Sequence, residues 1–456
     1  MHTYNSTGEA LLTDLYELTM LQSYVREGMF SHATFSLFTR QLPPNRSYLV
    51  TAGLGDVLRY LEALRFSASD IDYLHSTGIF DAGFLEYLEG FRFTGDVWAI
   101  PEGRIHFEDE PVVEVTAPIP EAQLVETLII NQVNLQSLVA SKAARCVWAA
   151  QGRRVVDFSL RRAQGTDAGM KVARSSYLAG FVSTSNVLAG KTYGIPVAGT
   201  MAHSYITSFP EEIDAFRAYA RSFPNGTILL VDTYDTVAGA RKAAVVGKEM
   251  ENRGHRLRAV RLDSGDLVAL SREVRHVLDE AGLGYVEIFA SGGLDEYQVG
   301  EIVEAGAPID GFGVGTRMGV SSDAPWLDMA YKLVKYDGRP VLKLSTGKVS
   351  LADEKQVYRL HDSHGMLAED VIALRDEVLP EVGEPILTRV MEGGRITPAL
   401  PVLEEVRQRF REEFACLPER YKVLRDAPAY PVRLSLGLRQ LQERVERQAG
   451  NSEGHS

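Results

Sequence analysis

Only two of the 456 residues are cysteine, Cys146 and Cys416, far apart and with no second cysteine or histidine at metal-ligand spacing. That excludes a disulfide framework and a zinc-ribbon site, and it predicts a reducing compartment. Long apolar runs are also missing: nothing approaches the ~20 residues a membrane span needs. The opening MHTYNSTGEALLTDLYELTM has no basic start followed by an apolar core, so no secretion signal is read and a cytoplasmic location without a membrane partner is expected. Basic charge is in deficit. Lysine and arginine number 48 against 61 acidic residues, a net charge of −13, and no basic run appears, so nucleic acid is excluded as a partner. Repeats and low-complexity tracts are absent, which leaves an ordinary soluble chain, 45% hydrophobic and 24% charged, long enough for two or three domains.

The sequence does contain a rhythm. Six aliphatic runs, starting at Val155, Ile195, Ile228, Leu257, Val286 and Ile309, each end in a polar, charged or glycine cluster, at intervals of 40, 33, 29, 29 and 23 residues. Strand, loop, helix and return at this spacing predict a parallel sheet covered by helices. Such sheets deliver every carboxyl end to one face, where ligands bind. The six clusters, SLRRAQG (159–165), GTMAHS (199–204), DTYDT (232–236), DSGD (263–266), SGGLD (291–295) and GFGVGTR (311–317), therefore converge on one predicted site.

Around this α/β core the expected organisation has three parts. Residues 1–120 form a mixed amino-terminal domain, with a helix capped by Thr13 through Glu17, strands at 33–37, 48–51, 97–100 and 112–115, and helices at 55–64 and 82–89. Residues 121–335 form the catalytic domain, opened by one long helix over 121–150 and closed by a helical segment over 325–334. Residues 336–456 pack with the amino-terminal domain through a hairpin of 341–344 with 356–360 and a charged helix at 403–414, and end in a disordered polar tail near 450–456.

The clusters suggest chemistry. His203, in a turn of small residues, can serve as base, acid or phosphoryl acceptor near neutral pH. Asp232 and Asp263 sit nearest their strand ends and suit Mg²⁺ through water or the hydroxyls of a ribose, whereas Asp235 and Asp266 stand where helix N-caps are expected. Ser291, Gly292 and Gly293, with Gly313, Gly315 and Thr316, give two successive glycine loops whose amides can hold phosphate. Arg161, Arg162 and Arg261 supply guanidinium groups for carboxylate or phosphate. Together they favour a phosphorylated sugar or nucleotide.

TDLYELTM (13–20), EAQLVETLIINQVNLQSLVASKAAR (121–145), FSLRRAQG (158–165), STSNVLAGKTYGIPVAGTMAHS (183–204), VDTYDT (231–236), VRLDSGDL (260–267), GFGVGTR (311–317) and KQVYRL (355–360) together resemble the nicotinate phosphoribosyltransferase family over most of the chain. The resemblance implies an irregular TIM-like barrel of the type II phosphoribosyltransferase kind plus a flanking α+β sandwich-like domain, in a homodimer with sites at the subunit interface. It implies synthesis of nicotinate mononucleotide and pyrophosphate from nicotinate and 5-phosphoribosyl 1-pyrophosphate in NAD biosynthesis, with Mg²⁺ and with ATP as co-substrate. His203 then carries the phosphohistidine, with Asp232 and Asp263 as catalytic and Mg²⁺-holding partners. Nicotinate falls to Tyr16, Thr200 and Arg261, Tyr16 reaching the neighbouring subunit's site. The family's phosphoribosyl phosphate contact falls on Thr316, beside Arg161, Arg162, Ser291, Gly292, Gly293 and Gly315, which the clusters already assign to phosphoribosyl pyrophosphate. Many family members read SN where this chain has Ser291, Gly292 and Gly293, and the SGG form is similar to the phosphate loop of quinolinate phosphoribosyltransferase. A related enzyme using nicotinamide or quinolinate is the alternative, and Arg261 favours a carboxylate over a neutral amide.

Overall fold

Parallel pairing builds the first of two structural units, residues 141–325. The structure is a computed structural model and describes residues 9–343, 350–379 and 383–453. Six strands, β1 (Arg154–Asp157), β2 (Ser183–Thr184), β3 (Ile228–Leu230), β4 (Ala259–Leu262), β5 (Glu287–Ala290) and β6 (Gly311–Val314), line up in the order β2-β1-β6-β5-β4-β3. Every neighbouring pair is parallel, including β6 with β1, so the last strand of the ring lies beside the first. Helices Thr166–Leu178, Glu212–Ser222, Thr236–Glu251, Leu267–Glu280 and Glu296–Glu304 follow the strands. Their buried stripes pack on a sheet whose aliphatic residues, such as Val155, Leu229, Val260 and Ile288, are at most 1% exposed.

One expected run is not a strand. Residues 195–198 make only the bridge Thr184↔Val197, flanked by Thr184 N–H to the Pro196 carbonyl (3.0 Å) and Ala198 N–H to the Thr184 carbonyl (3.0 Å). Pro196 has no N–H to continue a ladder, and Gly199 follows at once. The ring is thus irregular, open between this run and β3. The long 40-residue first interval has its explanation too: it contains the short strand β2.

The second unit comprises residues 1–140 and 326–456. Its seven-stranded antiparallel sheet runs in the order 339–340, 329–336, 32–39, 113–118, 96–99, 388–392 and 395–396. One face, with Ala33, Phe35, Leu37, Val113 and Val115, meets the amino-terminal helices in a large apolar core. The other face is polar where it meets a second sheet of 384–385, 355–361, 367–374 and 432–434. There Glu114 accepts the Lys355 backbone N–H (3.0 Å) and pairs with the Lys355 ammonium (2.9 Å), while Thr34 bonds Thr116 (2.9 Å) and Glu354 (3.0 Å).

Several expectations about this unit need correction. The expected helix over 325–334 is the strand Met329–Tyr336, because antiparallel pairing with His32–Thr39 overrides the helix preference of its Met, Ala, Leu and Lys residues. That pairing moves the boundary from 335 to 325. The long helix is two, Ile119–Leu124 and Glu126–Ala149; Val125, Leu128, Ile129 and Val133 bury in the second unit's core, which moves the other boundary from 121 to 141. Strand Lys355–His361 pairs with Leu367–Leu374 and Glu384–Pro385, not with 341–343. A tight local turn decides it, in which Asp362 accepts the N–H groups of His364 (2.8 Å) and Met366 (3.0 Å) and Gly365 takes φ 77°. Residues 341–343 are not strand, and Leu344 lies outside the described residues. Helix Leu436–Glu453 runs into the polar tail, of which 454–456 lie outside the described residues. The cap of helix Leu15–Arg26 is Asp14, while the Thr13 hydroxyl donates to Glu17.

Glu17 itself is fully buried, and burial pushes its carboxyl up to about 7 against the hydrogen bonds from Thr13 and Thr127. A raised carboxyl favours the native state at low pH. Between the ordinary glutamate value and pH 7 the unfolded chain ionises first, so stability falls as pH rises and levels off above 7. Glu17→Gln is expected to remove this slope, narrowing the loss between pH 4.5 and 7 by up to about 3 kcal/mol in chemical denaturation.

Candidate active site

The parallel register puts the loops after β1, β3, β4, β5 and β6 at one face, and there the side chains of four loops join through Arg261 at the end of β4. Its Nε donates to Ser291 Oγ (2.8 Å), Nη1 to Thr200 Oγ1 (3.0 Å) and the Met201 carbonyl (3.3 Å), and Nη2 to Asp263 Oδ1 (2.6 Å). The guanidinium carbon stands 5.4 Å from the centre of the Phe158 ring, which comes from the loop after β1. These bonds account for four of the five N–H donors of an arginine.

Asp263 links this anchor to the histidine. Its Oδ1 accepts from Arg261 and Ser291, and its Oδ2 lies 3.8 Å from His203 Nε2. Burial works against the Asp263 charge, but the Ser291 hydroxyl, Arg261 and His203 outweigh it and hold the carboxyl below its usual range. His203 opens the short helix His203–Thr207, and its Nδ1 sits 3.1 Å from Thr233 Oγ1. With its side chain 43% exposed, the ring is open to a ligand from outside.

Asp232 orders the floor of the mouth. Its Oδ2 accepts the Asp263 N–H (2.9 Å) and the Ser264 hydroxyl (2.6 Å), while its Oδ1 is buried with no hydrogen-bond partner. Asp235 and Asp266 are helix N-caps, accepting from Ala238 N (2.7 Å) and from Val268 and Ala269 N (3.0 Å each), as their positions suggested. Among the described residues no group of three or more His, Cys, Asp or Glu side chains could hold a metal. The orphaned Asp232 oxygen and the nearby Asp263 carboxylate fit Mg²⁺ held mainly by water and by the phosphates of a ligand.

The two glycine loops differ. Gly292 (φ 108°) and Gly293 (φ 72°) are exposed at the mouth, as is Thr316, with Gly315 half-buried beside it. A Cβ on Gly292 would lie 1.9 Å from the Asp263 carbonyl oxygen, so the loop after β5 can press against the end of β4 only with glycine there. Gly292→Ala is expected to cost about 1–3 kcal/mol of stability and most of the activity, read by thermal unfolding and turnover. Gly313 is steric instead, making room for the rings of Phe158 and Phe289.

One sequence assignment changes in detail, and three residues lie apart from the network. Ser291 is 2% exposed, with its hydroxyl committed to Arg261 and Asp263, so it does not present that group to a phosphate. Arg161 and Arg162 lie exposed on the turn Leu160–Arg162, outside the Arg261 network. Tyr16 belongs to the other unit, 47% exposed, its phenol pushed up by burial and by Glu126, Glu17 and Asp14.

Two site residues escaped the sequence reading. Asp157 closes β1, is buried, and accepts from the Ser159 N–H (2.9 Å), the Ser159 hydroxyl (2.5 Å) and Thr184 Oγ1 (2.7 Å). It fixes the turn that sets Phe158 beside Arg261. The available signal was an aspartate ending an aliphatic run, the same pattern that marked Asp232.

A ring of parallel strands with an arginine anchor, an accessible histidine, two strand-end carboxylates and open glycine loops at one mouth defines an α/β-barrel enzyme of anionic, phosphorylated substrates. Family models narrow the class: the nicotinate phosphoribosyltransferase N-terminal domain matches residues 11–134, the nicotinate phosphoribosyltransferase family 153–362 and the corresponding C-terminal domain 378–442. A nicotinate phosphoribosyltransferase of Mycobacterium tuberculosis is 53% identical over 93% of this chain and 91% of its own, and one of Bacillus subtilis is 38% identical over 93% of each. The crystal structure of human nicotinic acid phosphoribosyltransferase superposes with a TM-score of 0.85 at 31% identity, covering 95% of this chain and 100% of that one. The chain belongs to the nicotinate phosphoribosyltransferase family. Among the described residues no helix is long and apolar enough to cross a membrane.

Proposed function

We infer that this enzyme joins nicotinate to 5-phosphoribosyl 1-pyrophosphate, giving nicotinate mononucleotide and pyrophosphate for NAD biosynthesis. One observation carries the reading beyond family membership: a guanidinium fixed on three sides at the barrel mouth, one strand away from amides that suit a phosphate. Arg261 and Thr200 take the nicotinate carboxylate, and Tyr16 reaches the site of the neighbouring subunit in a homodimer. Gly292, Gly293, Gly315 and Thr316 supply backbone groups to phosphoribosyl pyrophosphate, and the exposed Arg161 and Arg162 are free to close on it.

In the transfer, the C1–oxygen bond to pyrophosphate breaks with its electron pair as the pyridine nitrogen forms the new bond to C1. Positive charge develops on the ribose, so the protein's task is to hold two anionic ends and a leaving group in fixed relation. Asp232 and Asp263 would hold Mg²⁺, which supplies neutralising charge to the pyrophosphate when bound. ATP passes its γ-phosphoryl group to His203 and leaves as ADP, water later releases the group as inorganic phosphate, and the phosphorylated and free forms drive the cycle by binding substrates and products unequally.

Purified protein given nicotinate, nicotinamide or quinolinate in parallel, each with phosphoribosyl pyrophosphate, tests this. Nicotinate mononucleotide from nicotinate, with ATP raising the yield, is expected. A preference for nicotinamide, or release of carbon dioxide from quinolinate, would transfer the assignment to the corresponding relative.

A further inference from the structure

We propose that Ser291 is a positioning residue for Arg261, and that through it the loop after β5 sets the preference for a base bearing a carboxylate. The inference rests on the nicotinate reading above and adds a residue that the sequence placed among the phosphate contacts.

Three observations support it. First, the Ser291 side chain is enclosed, 2% exposed, and its oxygen meets both Arg261 Nε (2.8 Å) and the same Asp263 oxygen that accepts from Arg261 Nη2. Arginine, hydroxyl and carboxylate thus form a closed triangle in which the hydroxyl accepts from Nε and donates to Oδ1. Second, the backbone is shaped for this contact. Ser291 N–H donates to the Leu262 carbonyl (2.8 Å), and Gly292 passes so near the Asp263 carbonyl that no side chain fits. The loop is therefore seated on the end of β4, the strand that carries Arg261. Third, the other edge of the guanidinium is held by Thr200 and the Met201 carbonyl, both in the turn that leads to His203. With Nε pinned by Ser291 and Nη2 by Asp263, the plane of the guanidinium is fixed, and a carboxylate meets its one remaining N–H in a preset direction.

Removing the hydroxyl leaves the charge and frees the plane. A neutral amide gains little from that geometry, so the loss falls mainly on the acid. Ser291→Ala is expected to raise the KM for nicotinate on the order of tenfold, the scale of one hydrogen bond to a charged group. The KM for phosphoribosyl pyrophosphate should stay within about twofold, and discrimination of nicotinate from nicotinamide should shrink by the same order.

The decisive form is a double-mutant cycle with Arg261→Lys, scored by KM for both substrates and by nicotinate binding in calorimetry. Lysine keeps the charge but has no Nε–H for Ser291. If Ser291 acts through Arg261, adding Ser291→Ala to Arg261→Lys costs nothing further toward nicotinate. Additive losses, or a Ser291→Ala effect confined to phosphoribosyl pyrophosphate, would overturn the proposal and return Ser291 to the phosphate loop. Should Ser291→Ala fold poorly, Ser291→Cys, which keeps the side chain's size but weakens the bond to Arg261 Nε, is expected to show the same nicotinate-only loss in smaller degree. Wild-type protein that neither binds nicotinate nor converts it would fail a different test, removing the underlying reading and this proposal with it.

Discussion

His203→Ala protein incubated with ATP is expected to gain no phosphoryl group by intact-protein mass, where the wild type gains one, and to lose all ATP-dependent increase in product yield. The geometry explains why a single ring matters so much. His203 is the histidine at the mouth; its Nδ1 is oriented by Thr233 and its Nε2 faces Asp263. Asp263 keeps its charge at neutral pH because Ser291, Arg261 and His203 outweigh the effect of burial. A charged carboxylate beside an exposed imidazole favours attack on phosphorus by orienting the ring and stabilising positive charge on it. Basal transfer without ATP should survive in His203→Ala, since the residues proposed to hold nicotinate and the phosphates remain. Phosphorylation of the variant, or an undiminished ATP effect, would move the phosphoryl acceptor elsewhere.

Arg261→Ala should carry the largest loss in nicotinate use, on the order of 100- to 1000-fold in kcat/KM, or roughly 3–4 kcal/mol. Two effects add. The variant lacks the cation proposed for the nicotinate carboxylate, and it leaves Asp263, Ser291 and Thr200 without their shared donor. An anionic base would then approach a carboxylate whose partner is gone, so the preference for nicotinate over nicotinamide should collapse or invert. Parallel kinetics with the two bases measure this directly. An unchanged ratio would mean that the carboxylate binds elsewhere.

The parallel sheet was legible in the sequence because its signal is periodic: five of the six aliphatic runs are strands or lie within one or two residues of them. The run at 195–198 misled because Pro196 removes a ladder donor, and β2 was too short, at two residues, to show a pattern. Strand Met329–Tyr336 was unreadable for a different reason. Its residues favour a helix locally, and only the distant partner His32–Thr39 makes a strand of them. Residue types in the site were legible, since Arg261 and Asp263 at the end of β4 do meet Thr200 and His203 from the turn after the run 195–198. Side-chain direction was not. Ser291 reads as part of a phosphate loop until its hydroxyl is seen on Arg261, and Phe158 is one letter of the FSLRRAQG run until its ring is seen beside the same guanidinium.

The central claim is that one barrel mouth seats both ends of the product nucleotide. A crystal structure with nicotinate mononucleotide bound tests it most directly. The carboxylate should lie on Arg261 and Thr200, with the 5′-phosphate on the amides near Gly315 and Thr316. A nucleotide seated away from Arg261, or with its phosphate on that arginine and its ring turned outward, would contradict the account.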